Sequence, residues 1–477
     1  MLPKPFSWDL TAARAGRYDG KFIIGVKTTG IYCLPSCRVH PPKPENVRMF
    51  KTEEDAKAAG LRACKRCRPD LFYKGEDWNV SLFDGLAERV RAAPESFADA
   101  SALAVACGVS QTKLGELMRD HAHLAPATWL RRERVRAACR LLLDTTDRIV
   151  DIGLAVGFES ESVFHRQFLA LTRMTPGAYR ALADASVFTL HLPAGWRAQE
   201  IVAYHGRDPE SPCEKGEGNK IWKALATAEG VAVLEISLES DGAWCRVHAA
   251  KKLGRESMAF IHAGALRMLG LNGEVTPFEK RMSEAPATAL FLRRKGLRVP
   301  SIPTGFDGLC WAIIGQQINV KFAGALRREI IHLGGEKAEG GMIAHPSPER
   351  VVDIGAAALT KRRYSRSKAE YLIGAAKEVA TGALDIEKLP EGSGVAAEKK
   401  LTSIRGIGTW TARYVLFRGG FADSALVGDS ALATALQRFH KREDRPDHDE
   451  VHEMMKPFAP YRSLATMHLW NSLRDAA

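Results

Sequence analysis

Leu401-Thr402-Ser403-Ile404-Arg405-Gly406-Ile407-Gly408-Thr409-Trp410-Thr411-Ala412 sets two short helical patterns on either side of a Gly-Ile-Gly hairpin. Gly406 and Gly408 permit a tight turn. Their bare backbone exposes N–H groups at a helix start, where a phosphate can dock. Ile407, between them, is expected to pack inward and hold the turn. Hairpins of this kind bind DNA or simply join two helices. Twenty-one residues beyond Gly408, Val427-Gly428-Asp429-Ser430-Ala431-Leu432 presents Asp429 as the N-cap of a following helix. A capping carboxylate is fixed in position, so capping and chemistry are compatible roles.

Together with Gly315-Gln316-Gln317 upstream, this arrangement resembles the helix-hairpin-helix DNA glycosylases, specifically the AlkA-type 3-methyladenine glycosylases, over about residues 188–477. The resemblance implies excision of alkylated purines, of the 3-methyladenine and 7-methylguanine type, from double-stranded alkylated DNA. Alkylation makes the base a cationic leaving group, so one carboxylate suffices to stabilise the oxocarbenium-like sugar or orient the water. That role falls to Asp429. The family's aspartate lies one residue further along, so the register needs a one-residue deletion, and Asp423 is the fallback carboxylate. The target nucleotide must be flipped out of the helix. Trp410, Tyr414 and Trp470 stand where the family supplies aromatics for the base pocket, and Gln317 stands where its wedge fills the vacated gap. Gly406 and Gly408 would hold the DNA backbone. Relatives that also cut the strand carry a lysine where Trp410 stands, so lyase activity is not implied. No cysteine follows Cys310, which excludes the iron–sulfur variant.

Between about residues 78 and 184 apolar residues recur at helical spacing. In Ala104-Val105-Ala106-Cys107-Gly108-Val109-Ser110 a helix ends at a glycine and restarts on Ser110 as N-cap. A variant follows in Gly153-Leu154-Ala155-Val156-Gly157-Phe158-Glu159-Ser160. Two such units joined by a long helix, about Pro126 to Leu143, resemble an AraC-type DNA-binding domain. The closing run Leu171-Thr172-Arg173-Met174-Thr175-Pro176-Gly177-Ala178-Tyr179-Arg180 resembles that family's end. Promoter DNA and RNA polymerase are the implied partners. Gln111, Thr112, Lys113, Ser162, His165, Arg166 and Gln167 are the groove-facing candidates.

Four of the nine cysteines crowd into residues 33–67 as Cys33, Cys37, Cys64 and Cys67. Two close pairs separated by a loop can bring four thiolates to one tetrahedron, as structural zinc requires. One Zn2+ per chain is therefore expected. The words around them, Thr28-Thr29-Gly30-Ile31-Tyr32-Cys33-Leu34-Pro35-Ser36-Cys37-Arg38 and Ala63-Cys64-Lys65-Arg66-Cys67-Arg68-Pro69-Asp70, resemble the amino-terminal domain of the Ada adaptive-response proteins. The resemblance implies that Cys33 takes a methyl group from a DNA methylphosphotriester. Leu34 departs from the arginine familiar there. A zinc-bound thiol is a thiolate at neutral pH. Methylating it removes negative charge, so Arg38, Lys65 and Arg66 would hold the DNA backbone against less repulsion. The Ada family's second methyltransferase site, Pro-Cys-His-Arg, is absent.

The remaining composition is that of an ordinary globular chain of 477 residues, 45% hydrophobic and 26% charged, long enough for three domains or more. Its net charge of +12 permits a polyanionic partner. No apolar run is long enough for a membrane span, and Met1 to Phe6 has no apolar core of the kind a secretory signal needs. A bacterial, cytoplasmic, nucleoid-associated location is the expectation. The expected fold is multidomain α+β. Residues 1–76 would form a small four-cysteine zinc α/β domain, and 77–185 an all-α double helix-turn-helix domain. Residues 186–295 would form an antiparallel, TATA-binding-protein-like α+β domain, and 296–477 an all-α glycosylase domain. The alternative is a transcription regulator whose glycosylase-like half only grips DNA.

Overall fold

The computed structural model describes residues 16–37, 39–40, 42–284 and 288–476. Its contacts divide the chain into two compact units, Met1–Gly85 and Leu86–Ala477.

The first unit is built on a four-stranded sheet in the order β3-β1-β2-β4. Strands β1 (Ile23–Val26) and β2 (Ile31–Cys33) form a hairpin whose turn closes at Gly30, with φ +63°. Strand β3 (Val47–Phe50) pairs antiparallel on the other side of β1, and the two-residue β4 (Arg62–Ala63) pairs parallel to β2. Gly25 is obligatory in the centre, because a Cβ there would lie 2.5 Å from both Phe50 and Leu61. The core is small: Ile23, Tyr32, Phe50 and Ala56. Such a core yields little stability, which is why a metal-bound cluster matters to this unit.

The second unit begins with helices. Ala100–Cys107 ends at Gly108 (φ +64°), and Gln111–His121 starts on Ser110, whose hydroxyl accepts from the Lys113 N–H. Pro126–Asp144 is the long connecting helix. Ile149–Ala155 and Glu161–Thr172 repeat the pattern around Gly157, again with a serine cap, Ser160. A five-stranded antiparallel sheet follows in the order β5-β9-β8-β7-β6. Its strands are β5 (Val187–Leu190), β6 (Glu214–Glu217), β7 (Lys220–Thr227), β8 (Gly230–Glu239) and β9 (Gly242–Ala249). Alternating Phe188 and Leu190 mark β5 in the sequence, and the segments 231–236 and 244–247 read as strands β8 and β9. Strands β6 and β7 escape that signal, because their charged residues Glu214 and Lys223 are buried and not solvated. From Gly305 onward the described chain is helical apart from one isolated bridge, Lys337 to Ile343. No helix among the described residues is long and apolar enough to cross a membrane. The multidomain α+β architecture is the expected one.

One hydrophobic core passes from the helices into the sheet. It includes Leu142, Ile152, Phe164, Phe168 and Tyr179 from the helical part and Leu190, Ile221, Leu234, Ile236 and Ile261 from the α+β part. His262 in the helix Arg255–Met268 donates to the Thr172 carbonyl at 2.8 Å and packs edge-on against Tyr179.

A second junction is ionic. Asp307 in the helix Gly305–Ile314 is 1% exposed. It accepts from Arg327 Nη2 at 2.6 Å, Arg327 Nε at 3.0 Å and Lys223 Nζ at 2.9 Å. Glu214 completes the cluster by accepting from Arg207 at 2.8 Å and Lys223 at 3.3 Å. Burial alone would raise the Asp307 carboxyl, but Arg327, Lys223 and His345 hold it well below the usual carboxylate range. Removing one member leaves buried charges unpaired. Asp307→Ala should therefore lower the stability of the second unit by about 3–5 kcal/mol, read as an earlier urea midpoint, while zinc content stays unchanged.

Candidate zinc centre and candidate glycosylase site

The parallel pairing of β4 with β2 brings the two cysteine pairs together. The Cys64 N–H donates to the Tyr32 carbonyl at 2.9 Å, seating Cys64 beside Cys33 at the end of β2. The turn after β2 returns Cys37, whose N–H donates to the Leu34 carbonyl at 3.1 Å. Asp19 pins this turn by accepting from the N–H and hydroxyl of Ser36. The four sulfurs of Cys33, Cys37, Cys64 and Cys67 lie within 4.8 Å of one another, the spacing of a tetrahedral thiolate set. Without a cation such a set is frustrated. Hydrogen bonds to Cys37, Cys64 and Cys67 push the Cys33 thiol up, while those from Cys33, Cys37 and Cys67 hold Cys64 down. A shared Zn2+ removes that split, and the four cysteines bind one Zn2+ per chain.

Leu34 is buried, and its N–H donates to Cys67 Sγ at 3.4 Å. The residue that departs from the familiar arginine thus orders the cluster through its backbone. Lys65 and Arg66 are exposed beside the sulfurs, whereas Arg38 lies outside the described residues. Cys33 itself is 5% exposed.

In the helical pairs the groove-facing candidates divide. Gln111, Thr112, Ser162 and Arg166 are exposed, while Lys113, His165 and Gln167 are half-buried. Gln111 donates to Ser101 Oγ at 2.8 Å. The carboxyl-terminal end of the helix Gln111–His121 is docked onto the first hairpin helix, Gly394–Thr402. His121 there hydrogen-bonds the capping Ser393 hydroxyl at 2.7 Å.

The hairpin itself joins Gly394–Thr402 to Thr409–Arg418. Gly406 has φ +86°, and a Cβ there would lie 2.1 Å from the Tyr371 ring, so only glycine fits. Gly408 differs. Its φ of −83° is ordinary and nothing lies within 4 Å of its Cβ position. The chain's own fold does not demand that second glycine. It leaves the amino-terminal N–H groups of Thr409–Arg418 open on that side, with no side-chain cap. Ile407 is 3% exposed, as its place in the turn predicts.

Gln316 was visible in the sequence only as a neighbour of Gln317. Its amide donates to the Gly406 carbonyl at 2.9 Å and to Thr411 Oγ1 at 3.0 Å, tying the loop after Gly305–Ile314 to the hairpin. Lys368 closes the same loop by donating to the carbonyls of Ile314 and Gln316. Gln317, held between these anchors, is exposed and left-handed with φ +56°.

Asp429 caps Ser430–Phe439 as expected, and its Oδ1 accepts from the Leu432 N–H at 2.8 Å. The same Oδ1 also accepts from Trp470 Nε1 at 3.1 Å. Oδ2 makes no hydrogen bond to the described residues and keeps its lone pairs. Asp423 is unlike it: both its oxygens are held by Arg462 at 2.7 Å. Trp410 stacks on Tyr414 with ring centroids 5.4 Å apart and planes at 28°. Tyr414 OH receives Trp311 Nε1 at 3.2 Å and Arg418 Nε at 3.3 Å. Burial would raise the Tyr414 hydroxyl, but Arg418, Trp311 and Arg207 together bring it below its ordinary value. Arg418 also sits 4.5 Å from the Tyr204 ring and 5.9 Å from that of Trp470. Trp410, Tyr414, Trp470 and Asp429 are therefore linked in one aromatic cluster through ring stacking, Arg418 and the Trp470–Asp429 hydrogen bond. Tyr204, Trp311 and Arg418 join it from positions that no local motif marks. The one available signal is Trp311, whose indole N–H is a donor in a largely apolar helix.

Parts of the chain are similar to known proteins. Residues 7–70 match the family described as the metal binding domain of Ada, 103–182 a helix-turn-helix domain, and 310–460 the HhH-GPD superfamily of base excision DNA repair proteins. The chain is 27% identical to the "Probable bifunctional transcriptional activator/DNA repair enzyme AlkA" of Mycobacterium tuberculosis, covering 97% of this chain and 95% of that one. It is 30% identical to a DNA-3-methyladenine glycosylase of Bacillus subtilis over 60% of this chain and 97% of the relative. A solved 3-methyladenine DNA-glycosylase from Archaeoglobus fulgidus has the same fold, with a TM-score of 0.54 and 22% identity over 61% of this chain and 99% of that one.

The zinc set gives a direct expectation. Cys37→Ala or Cys64→Ala should lose the stoichiometric Zn2+ found by atomic absorption in the parent protein. Far-ultraviolet dichroism and proteolysis should then show local unfolding of the small unit.

Proposed function

We propose, for a chain that belongs to the family of Ada-type regulators joined to AlkA-type DNA-3-methyladenine glycosylases, that it excises alkylated purines and reports alkylation damage to transcription. Four modules would carry these tasks: a methyl acceptor in 1–76, a promoter reader in 77–185, an α+β domain in 186–295 and a monofunctional glycosylase in 296–477. The observation that carries the repair reading is the carboxylate of Asp429, which spends Oδ1 on two structural hydrogen bonds and keeps Oδ2 unengaged beside Trp470.

In that reaction the gap left by the flipped nucleotide is filled by Gln317, and the backbone on that side is held at Gly406 and Gly408. The cationic base stacks among Trp410, Tyr414 and Trp470, which favour cations on their faces. The N-glycosidic bond breaks with its electron pair going to the base, which leaves neutral. Asp429 Oδ2 stabilises the positive sugar and takes the proton of the water that adds to it. Trp410 offers no amine, so no Schiff base forms and the strand is left uncut.

At the other site zinc, when bound, keeps its cysteine ligands deprotonated. Cys33 Sγ attacks the methyl carbon of a methylphosphotriester; the S–C bond forms, the C–O bond breaks, and the phosphodiester leaves as an anion. The cluster loses one negative charge. Lys65, Arg66 and Arg38 then bind the DNA backbone more strongly, and Gln111, Lys113, His165 and Arg166 read the promoter for recruitment of RNA polymerase.

Asp429→Asn keeps an oxygen for both the Leu432 and Trp470 hydrogen bonds, so folding and DNA affinity should hold. Release of 3-methyladenine from alkylated DNA should nevertheless slow by on the order of a hundredfold or more. Asp423→Asn is the comparison; it should cost stability through Arg462 but spare the chemical step. A parent protein that binds such DNA and releases no base would establish the DNA-gripping regulator instead.

The methyl-acceptor reading has its own check. After exposure to methylphosphotriester DNA, mass spectrometry should find one added methyl group, on Cys33. Promoter affinity should rise with it, most at low salt. A methyl on another cysteine would overturn the assignment.

A further inference from the structure

Where the helical reader meets the glycosylase, the second unit encloses a recess of about 630 Å³. One wall comes from the helices Gln111–His121, Pro126–Asp144 and Glu161–Thr172, the other from segments around residues 270–277, 298–301 and 460–464. Four arginines line it, Arg119, Arg132, Arg173 and Arg298, against one described carboxylate, Glu274, which is exposed. Apolar surface from Phe421 and Leu464 fills much of the remainder.

Three of these guanidinium groups are poorly compensated. The Nε atoms of Arg132, Arg173 and Arg298 are buried with no hydrogen-bond partner among the described residues. Arg298 is 5% exposed, and its known bonds, from Nη1, go to the neutral carbonyls of Gly270 and Gly273. The nearest carboxylate to Arg132 is Glu133, at 3.9 Å, and that group already holds Arg136 at 2.9 Å and Arg91 at 3.3 Å. Burial, reinforced by Arg173, pushes Arg298 down to about 10, and burial does the same to Arg132. Buried cations held only by distant or shared carboxylates are costly, and a native fold that keeps several in one recess has a use for them.

We propose that this recess binds a small organic anion, an apolar body bearing one phosphate, sulfonate or carboxylate, with Arg173 and Arg298 taking the charged group. The volume is that of a small-molecule site. The mixed lining favours a compact anion, which gains both charge-assisted hydrogen bonds and buried surface. The bound molecule would touch the reader and the glycosylase together, so its occupancy would tie one to the other.

Titrating the full zinc-loaded protein with anilinonaphthalene sulfonate, and in parallel with uncharged phenylnaphthylamine, tests this. The sulfonate should bind saturably at one site. Arg173→Gln should weaken it at least about tenfold, Arg173→Lys should restore most of the affinity, and the uncharged dye should be indifferent to both changes. If Arg173→Gln lowers the melting temperature, Arg298→Gln carries the same comparison. Unchanged sulfonate affinity in the glutamine variants, or an equal loss for both dyes, overturns the proposal and leaves an apolar crevice only.

Discussion

The hydrogen-bonded ion cluster centred on Asp307 is the constraint on which the repair half depends. Lys223 reaches it from strand β7 and Arg327 from the helix Val320–Gly334, so one carboxylate fixes a sheet and two helices. Asp307 stands near the start of Gly305–Ile314, and the far end of that helix delivers Gln316 to the hairpin and Gln317 to the surface. A shift of the ion cluster would therefore move Gln317, the proposed wedge. Hydrophobic side chains of equal volume can match the stability of such a cluster, but they offer no directional partner to pair with.

The aromatic site shows a similar economy. Trp470 donates to the same oxygen of Asp429 that the helix N-terminus uses. The carboxylate is thus oriented by two donors without losing its second oxygen. Arg462 does the opposite to Asp423 by occupying both oxygens. Two aspartates six residues apart, the candidate and its fallback in the sequence, are separated by what their partners leave over.

The hydrophobic core that runs from Phe164 and Phe168 to Leu234 and Ile261 makes the second helix-turn-helix pair part of the α+β packing. His121 on Ser393 attaches the first pair to the hairpin module. The reader is therefore built into the repair half, with no loose tether between them. The four-thiol unit contrasts with this: its core is a handful of residues, and cross-linking by metal supplies what burial cannot.

The sequence by itself determined the elements whose signals are local. Cys33 with Cys37 and Cys64 with Cys67 announced two ligand pairs by spacing, Ser110 and Ser160 announced helix starts, and Gly406 with Ile407 announced a turn, because each depends on neighbours a few residues away. Asp429 was legible as a cap for the same reason. Tertiary structure alone decided which aspartate keeps a free oxygen, since Trp470 and Arg462 lie about forty residues downstream. It also decided that Gln316 anchors the hairpin, that Tyr204 and Arg418 share the aromatic site, and that β6 and β7 bury Glu214 and Lys223. A charged residue reads as solvated until its partner is known, and these partners, up to 214 positions away, meet only when the chain has folded.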